Sequence, residues 1–303
     1  DNKNLRGLYI IKSETDKKKM EFFGNIFTHY NYTTTDINLA FESPHESPAA
    51  TTSISVQNIA ARDLAQQSPA LGWLGAVDAP LSATITTALD NTGAPLPLTA
   101  TLDLGSGALR PNETAAPISF ESAGIALTFD PANNITTFTS LNLQSDRGSF
   151  EGTGQAIAQS IKDGLPQAFI GQFAFADITL NPPGLYDDPL GIANAAIDLR
   201  LSLDPFRIEV GQAVVTDPML SFIAKGDARA TDAGWTTRLD LQADTFDIAT
   251  LAAVWPADVI PKTREWFVNN LTGASFDKAT FGMRTAPAVP PVIAAGFGFQ
   301  DAD

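Results

Sequence analysis

Apolar and polar residues alternate along most of the chain. The pattern is clearest in "AIDLRLSLDPFRIEVGQ" (residues 196–212), where every second residue from Ile197 to Leu203 is apolar. After Asp204-Pro205 the alternation resumes and continues through Val210. A period of two is typical of a β-strand with one apolar and one polar face, and the Asp-Pro pair is typical of a turn. The segment therefore predicts a β-hairpin with one apolar face.

The same period recurs in other segments that are separated by turn-forming residues. Two more strands are predicted near the start of the chain, in "KKMEFFGNIFTHY" and "TTTDINLAFES", and the other segments with this period are residues 95–105, 124–130, 169–180, 220–230 and 234–244. Short connections rich in Asp, Asn, Pro and Gly favour antiparallel neighbours. The pattern predicts a mainly β protein built from an antiparallel sheet.

Helical spacing is confined to two regions. Residues 58–77 predict one or two short helices, and residues 247–270 predict two more. Asp247 is the predicted N-cap of the first helix in the second region. In the following helix Pro261 occupies the first turn, Trp266 and Phe267 are expected to face inward, and a glycine lies just past the end. We expect these helices to cap an end or a side of the sheet.

A short internal repeat supports a sheet that is built by repetition. The segment "SFEGTGQAIA", which begins at Ser149, shares its Ser-Phe, Gly and Ala positions with "SFIAKGDARA", which begins at Ser221. Upstream of each copy, "ALTFDP" (126–131) corresponds to "RLSLDP" (200–205). Two copies of one strand–turn–strand pattern are expected.

Charge and composition narrow the classes of partner. The 303-residue chain has a net charge of −15, which argues against a nucleic-acid partner and against adhesion to an anionic membrane surface. There are no cysteines, so disulfides and thiolate metal sites are excluded. The chain begins at Asp1, which we interpret as the start of a portion of something longer.

No motif in the sequence predicts catalysis. The only two histidines are His29 and His45, and neither lies in a nucleophile or zinc-binding motif. The glycines of "GTGQAI" (152–157) do not open a helix, which favours a strand over a nucleotide-binding loop. Most aspartates fall in turns, so a carboxylate-pair hydrolase remains only a third-ranked alternative. We expect no enzyme activity, no cofactor and no bound metal.

Three segments resemble the AsmA-like group of bacterial envelope proteins, which includes the YhdP and TamB types. The strongest is "LAAVWPADVIPKTREWFVNNLTGASFDKATFGM" (251–283), with a short helix, Trp-Pro, a second helix and a returning strand. The others are "LGWLGAVDAPLSATITT" (71–87) and "LDPFRIEVGQAVVTDPMLSFIAKGDARA" (203–230). The resemblance implies an AsmA-like region over residues 58–303, preceded by N-terminal strands over residues 1–57 that continue the sheet.

The resemblance also implies a fold and a function. Its members are anchored in the inner membrane of Gram-negative bacteria by an N-terminal helix, which this chain lacks, and extend through the periplasm as a long sheet bent into an open groove. The apolar groove is thought to carry phospholipid acyl chains towards the outer membrane. The expected partners are phospholipid acyl chains, the inner membrane through the missing anchor, and outer-membrane or other envelope proteins. The family has no catalytic residues to carry over.

Two readings of the apolar faces remain open at this point. In an open groove lipid tails cover them, whereas in a closed β-sandwich they cover each other and the protein is a structural or adhesive envelope module. Alternation alone does not separate the two, and the resemblance favours the groove. The residues expected to line it are Leu98, Leu102, Ile125, Leu127, Phe129, Phe173, Phe175, Leu199, Leu201, Leu203, Ile208, Val210, Phe222, Leu239 and Leu241.

Overall fold

The fold is mainly β. Strands account for 67% of the residues and helices for 10%. Any extended surface must therefore be formed by the sheet. The computed structural model describes residues 12–14, 17–27, 34–44, 47–65, 74–162, 165–184, 186, 188–218, 221–256, 258–271 and 273–300. Both histidines, His29 and His45, lie outside the described residues.

Twenty strands and three helices follow one another along these residues. The strands of the first half are β1 (Lys12–Glu14), β2 (Lys17–Phe27), β3 (Thr34–Ser43), β4 (Ala50–Ala60), β5 (Val77–Asp78), β6 (Pro80–Leu89), β7 (Leu98–Leu104), β8 (Gly107–Leu109), β9 (Ile118–Phe120) and β10 (Ser122–Asp130). Those of the second half are β11 (Ile135–Ser145), β12 (Gly148–Lys162), β13 (Leu165–Leu180), β14 (Leu190–Leu203), β15 (Phe206–Thr216), β16 (Phe222–Thr231), β17 (Gly234–Ala243), β18 (Phe246–Asp247), β19 (Ser275–Ala286) and β20 (Val289–Gln300). The helices are α1 (Ala61–Ala65), α2 (Ile248–Val254) and α3 (Pro261–Asn270).

The long strands form one large antiparallel sheet that does not close on itself. The predicted hairpin is confirmed, because β14 pairs antiparallel with β15 across a turn at Asp204-Pro205. The predicted N-terminal pair is also confirmed, as β2 with β3. A closed sandwich needs two large sheets packed face to face. The described residues form one large sheet and one small sheet of β5, β8 and β9, so this part of the chain has no second large sheet with which to close a sandwich.

The chain divides into two compact units. Unit 1 comprises residues 1–109, 120–141 and 155–157, and unit 2 comprises residues 110–119, 142–154 and 158–303. In unit 1 the strand order is β2, β3, β4, β6, β7 and β10. In unit 2 the order is β13, β14, β15, β16, β17, β19 and β20. The division expected after residue 57 falls inside β4, which pairs with β3 on one side and β6 on the other.

The helices occupy the two predicted regions. In residues 58–77 the structure has α1 and a single 3₁₀ turn at residues 74–76, and residues 66–73 lie outside the description. Asp247 is the N-cap of α2, as predicted, and its carboxylate accepts a hydrogen bond of 2.8 Å from the Thr250 backbone N–H. The prediction that Trp266 faces inward is wrong, because its side chain is 55% exposed. Phe267 is the aromatic residue of α3 that packs inward.

The glycines of the "GTGQAI" segment lie in a strand, as expected, and the structure gives the reason. A Cβ at Gly152 would collide with the ring of Phe175, and one at Gly154 would collide with the ring of Phe173. Glycine in a strand interior leaves space for an aromatic ring to lie across it. These two positions therefore keep the Phe173 and Phe175 rings close against the sheet.

Candidate functional site: an apolar sheet face

In unit 2 most of the large apolar side chains on the paired strands share one face of the sheet. Residues that lie directly opposite each other on paired strands point to the same face. One row of such neighbours runs Phe173, Ile197, Ala213, Ala224, Leu241 and Phe281. The next row runs Leu199, Val210, Gly226, Leu239, Met283 and Ile293. We call this surface the unit 2 apolar face, and it includes all ten predicted lining residues that lie in unit 2.

The opposite face of the same strands is charged. Arg200, Glu209, Asp227, Arg238 and Arg284 lie opposite one another across successive strands. Asp240, on the same face, accepts ion-pair contacts of 2.9 Å from Arg238 and 2.6 Å from Arg284. Ile170, Val214, Ile223 and Val292 also lie on this face, so the two faces of the sheet differ in polarity but the division is not complete.

Unit 1 shows the same division. One row runs Ile125, Leu102, Ala83, Val56 and Ile37, and the next runs Leu127, Ala100, Ile85, Ile54 and Leu39. Phe129 and Leu98 form a third pair on this surface, the unit 1 apolar face. The other face carries a row of hydroxyl residues, Thr128, Thr99, Thr86 and Ser53, the last two joined by a 3.3 Å hydrogen bond. The five predicted lining residues of unit 1 all lie on its apolar face.

Most of the large side chains on these faces are not sealed from solvent. Each of the fifteen predicted lining residues is partly exposed, neither fully buried nor fully open. Of the 18 buried apolar residues in the described part of the chain, 13 are alanines. In a closed core the bulky residues are the ones most often buried. On these two faces the small residues are buried by larger neighbouring side chains, and most of those larger side chains have no further layer over them.

One end of the unit 1 apolar face is covered. Leu81 pairs with Leu104 across the sheet, and Ile59, Ala61 and Leu74 pack against them. Leu74 and Leu81 are only 3% and 2% exposed. The α1 region and the 3₁₀ turn therefore cap this end, as the sequence predicted for the helices.

In unit 2 two segments cover parts of the apolar face: helix α3 and the segment that contains Ala116. At β19 and β20 the ring of Phe267 from α3 lies 5.3 Å from the ring of Phe297 and 6.1 Å from that of Phe276, measured between centroids. Where β16 ends and β17 begins, the indole Nε1 of Trp235 donates a 3.0 Å hydrogen bond to the backbone oxygen of Ala116. Between these two caps the face is open.

The carboxylates whose pKa is lowered take part in local hydrogen bonds and ion pairs. A hydrogen bond from the Thr92 hydroxyl is the largest of several that lower the pKa of Asp90, and one from the Asn133 side chain does the same for Asp130. The Arg284 guanidinium beside Asp240 lowers the pKa of that carboxyl. Hydrogen bonds from Thr250 lower the pKa of Asp247 at the start of α2. These groups stabilise turns, an ion-pair cluster and a helix cap.

The described residues contain no group of three or more His, Cys, Asp or Glu side chains that could hold a metal ion. Within the same part of the chain, no helix is long and apolar enough to cross a membrane.

Sequence reasoning missed several members of the two faces. Ile37, Ile54, Val56 and Ile85 continue the unit 1 face, and Met283 belongs to the unit 2 face. The signal was present in "TTSISVQ" and "SATITT", where Ile and Val alternate with Ser and Thr. Apolar residues that alternate with Ser and Thr predict a strand just as strongly as apolar residues that alternate with charged residues.

Comparisons of the chain with protein-family models, with curated proteins and with solved structures give no match.

Proposed function

We propose that the apolar faces bind the acyl chains of phospholipids and that the chain is a segment of a bridge-like lipid carrier of the bacterial periplasm. It would pass lipid between the inner and outer membranes and so support outer-membrane integrity. The single observation that carries the proposal is that each unit has an apolar face that is not sealed from solvent. All fifteen predicted lining residues lie on an apolar face, and each is partly exposed.

The energetics of an uncovered face favour an apolar ligand. Burying one methylene group contributes about 0.8 kcal/mol. An acyl chain of about sixteen carbons that buries half of its surface against the sheet would therefore gain roughly 6 kcal/mol before the cost of association. Such binding needs no particular side chain, only continuous apolar rows such as the one from Leu199 to Ile293.

In each unit the face opposite the apolar one suits an aqueous compartment. The hydroxyl row of unit 1 and the ion-paired row of unit 2 remain hydrated while the apolar face of the same unit is covered. Lipid headgroups would stay in water at the margin of the apolar face, where they need no dedicated pocket. The resemblance to AsmA-like proteins supports the periplasm as the compartment and the inner membrane as a partner.

Site-specific photo-crosslinking tests this function. Leu201 lies on the unit 2 apolar face, whereas its neighbour Arg200 points to the charged face and is exposed. A photo-reactive amino acid is placed at one position or the other, and the protein is made in the envelope of a Gram-negative host. We expect phospholipid adducts from position 201 and none from position 200. Equal labelling, or protein adducts alone at position 201, contradicts the proposal.

A further inference from the structure

Helix α3 is attached to the rest of unit 2 by very few groups. Eight of its ten residues are exposed, and only Arg264 and Phe267 are partly buried. Arg264 donates hydrogen bonds of 2.8 Å to the Trp255 oxygen and 2.9 Å to the Ala252 oxygen, at the end of α2. Phe267 supplies the aromatic contacts with the sheet. One guanidinium and one ring therefore hold the helix in place.

The two connections of α3 have unusual backbone geometry. Ile260, which precedes the helix, has φ 50° and ψ 57°, and its side chain makes no capping hydrogen bond. A β-branched residue is strained in this left-handed region. Beyond the helix, Gly273 has φ +99°, and a Cβ built there would meet no atom within 4 Å. One connection thus stores strain while α3 is docked, and the other has open space around it.

The ring of Phe267 covers apolar surface that would otherwise join the unit 2 apolar face. Phe297 lies on that face, two residues after Ala295, which pairs with Phe281. Phe276 is fully buried beneath Phe267 and stacks at 5.4 Å on Phe246. Undocking of α3 would extend the open face by these aromatic rings.

We infer that α3 is a lid over one end of the unit 2 apolar face and that it undocks about Ile260 and Gly273 to admit an acyl chain. The inference rests on the proposed function. The strain at Ile260 is relieved when the lid opens, which keeps the docked and undocked states close in free energy. The Arg264 hydrogen bonds and the Phe267 stack oppose that strain and hold the lid closed when no apolar chain is present.

Hydrogen exchange measured by mass spectrometry tests the lid without any lipid. A free ten-residue helix is marginal in water, so the α3 amides exchange when the helix undocks. We expect them to exchange well before those of β17 and β19 and independently of low denaturant. Exchange of α3 only together with those strands overturns the lid.

A hinge variant and a matched control test the role of Ile260. Asn tolerates the left-handed region, so Ile260→Asn removes the strain of the docked state and slows α3 exchange about tenfold. Val268→Asn makes a similar change at an exposed site within α3, where Val and Asn have similar helix propensity, and leaves the rate within about twofold. Equal rates in the two variants overturn the hinge.

Uptake of a fluorescent single-chain fatty acid connects the lid to the apolar face. Ile260→Asn should slow uptake at the end of the face that α3 covers by the factor seen in exchange, because it stabilises the docked lid that an entering chain must displace, and Val268→Asn should not. Unchanged uptake in Ile260→Asn, despite slowed exchange, shows that α3 does not gate the face and overturns the inference. Absence of uptake in every protein refutes the proposed function, and with it the role of α3 as an entry lid, even if exchange shows that α3 undocks.

Discussion

Replacing Leu201 with Asp separates an open apolar face from a sealed one. Leu201 lies between Phe169 and Ile208 in a cross-strand row and is partly exposed. Full burial of a leucine contributes about 1.5–3 kcal/mol, so a half-buried one contributes about 1 kcal/mol. Because the new carboxylate keeps access to water, we expect Leu201→Asp to reduce the free energy of unfolding by only about 1–2 kcal/mol.

A sealed core would respond very differently. An unpaired charge in a closed interior costs about 3–5 kcal/mol in addition to the lost packing, which approaches the whole stability of many domains. Denaturant unfolding followed by circular dichroism measures the difference. Ser202→Asp is the matched control, because Ser202 points to the charged face and lies opposite Arg207. We expect this control to unfold within about 0.5 kcal/mol of the parent protein.

Ligand loading completes the test. A carboxylate in the middle of the apolar row must lose hydration when an acyl chain covers it, so Leu201→Asp should weaken fatty-acid binding at least tenfold. Ser202→Asp should bind as the parent does. The reasoning is refuted if Leu201→Asp unfolds the protein, or if it folds and binds fatty acid with unchanged affinity.

Three further changes test local features of the fold by denaturant unfolding. Gly154→Ala should cost about 1–3 kcal/mol because the new methyl group collides with the Phe173 ring, whereas Gly191→Ala, with open space around it, should cost nothing; equal effects would contradict the ring-over-glycine packing. Asp247→Ala should reduce the free energy of unfolding by about 1 kcal/mol, because the α2 cap is lost. The folded-state pKa of Asp247 is lowered, so the stabilisation from the cap is complete above the unfolded pKa near 4 and disappears as the pH falls through the folded pKa. A loss that does not depend on pH would argue against the cap. Trp235→Phe keeps the ring but removes the bond to the Ala116 oxygen, and should cost about 1 kcal/mol, whereas an unchanged stability would show that this bond contributes nothing.

The strands could be predicted from the sequence because alternation is a local property. The hairpin around Asp204-Pro205 and the N-terminal pair β2–β3 follow from residues that are adjacent in the chain. The cap at Asp247 was predictable for the same reason, since an N-cap interacts with a backbone group three residues away. Local chemistry fixed each of these features.

The features that depend on packing were not predictable. The sequence placed both Trp266 and Phe267 against the sheet, but only Phe267 meets Phe276, because the docking angle of α3 is set by tertiary contacts. Alternation also fits open and closed sheets equally well, so the exposure of Leu199 and Leu201 came only from the structure. The close approach of the Phe173 ring to Gly154 likewise became clear only from the structure.

The central claim is that acyl chains, and not polypeptide, cover the apolar faces. Native mass spectrometry of the chain, purified in a mild detergent from the envelope of a Gram-negative host, tests it most directly. The account predicts protein bound to species with phospholipid masses, which are lost in Leu201→Asp and retained in Ser202→Asp. A spectrum with only the bare mass of the chain, or with lipid retained equally in both variants, would contradict it.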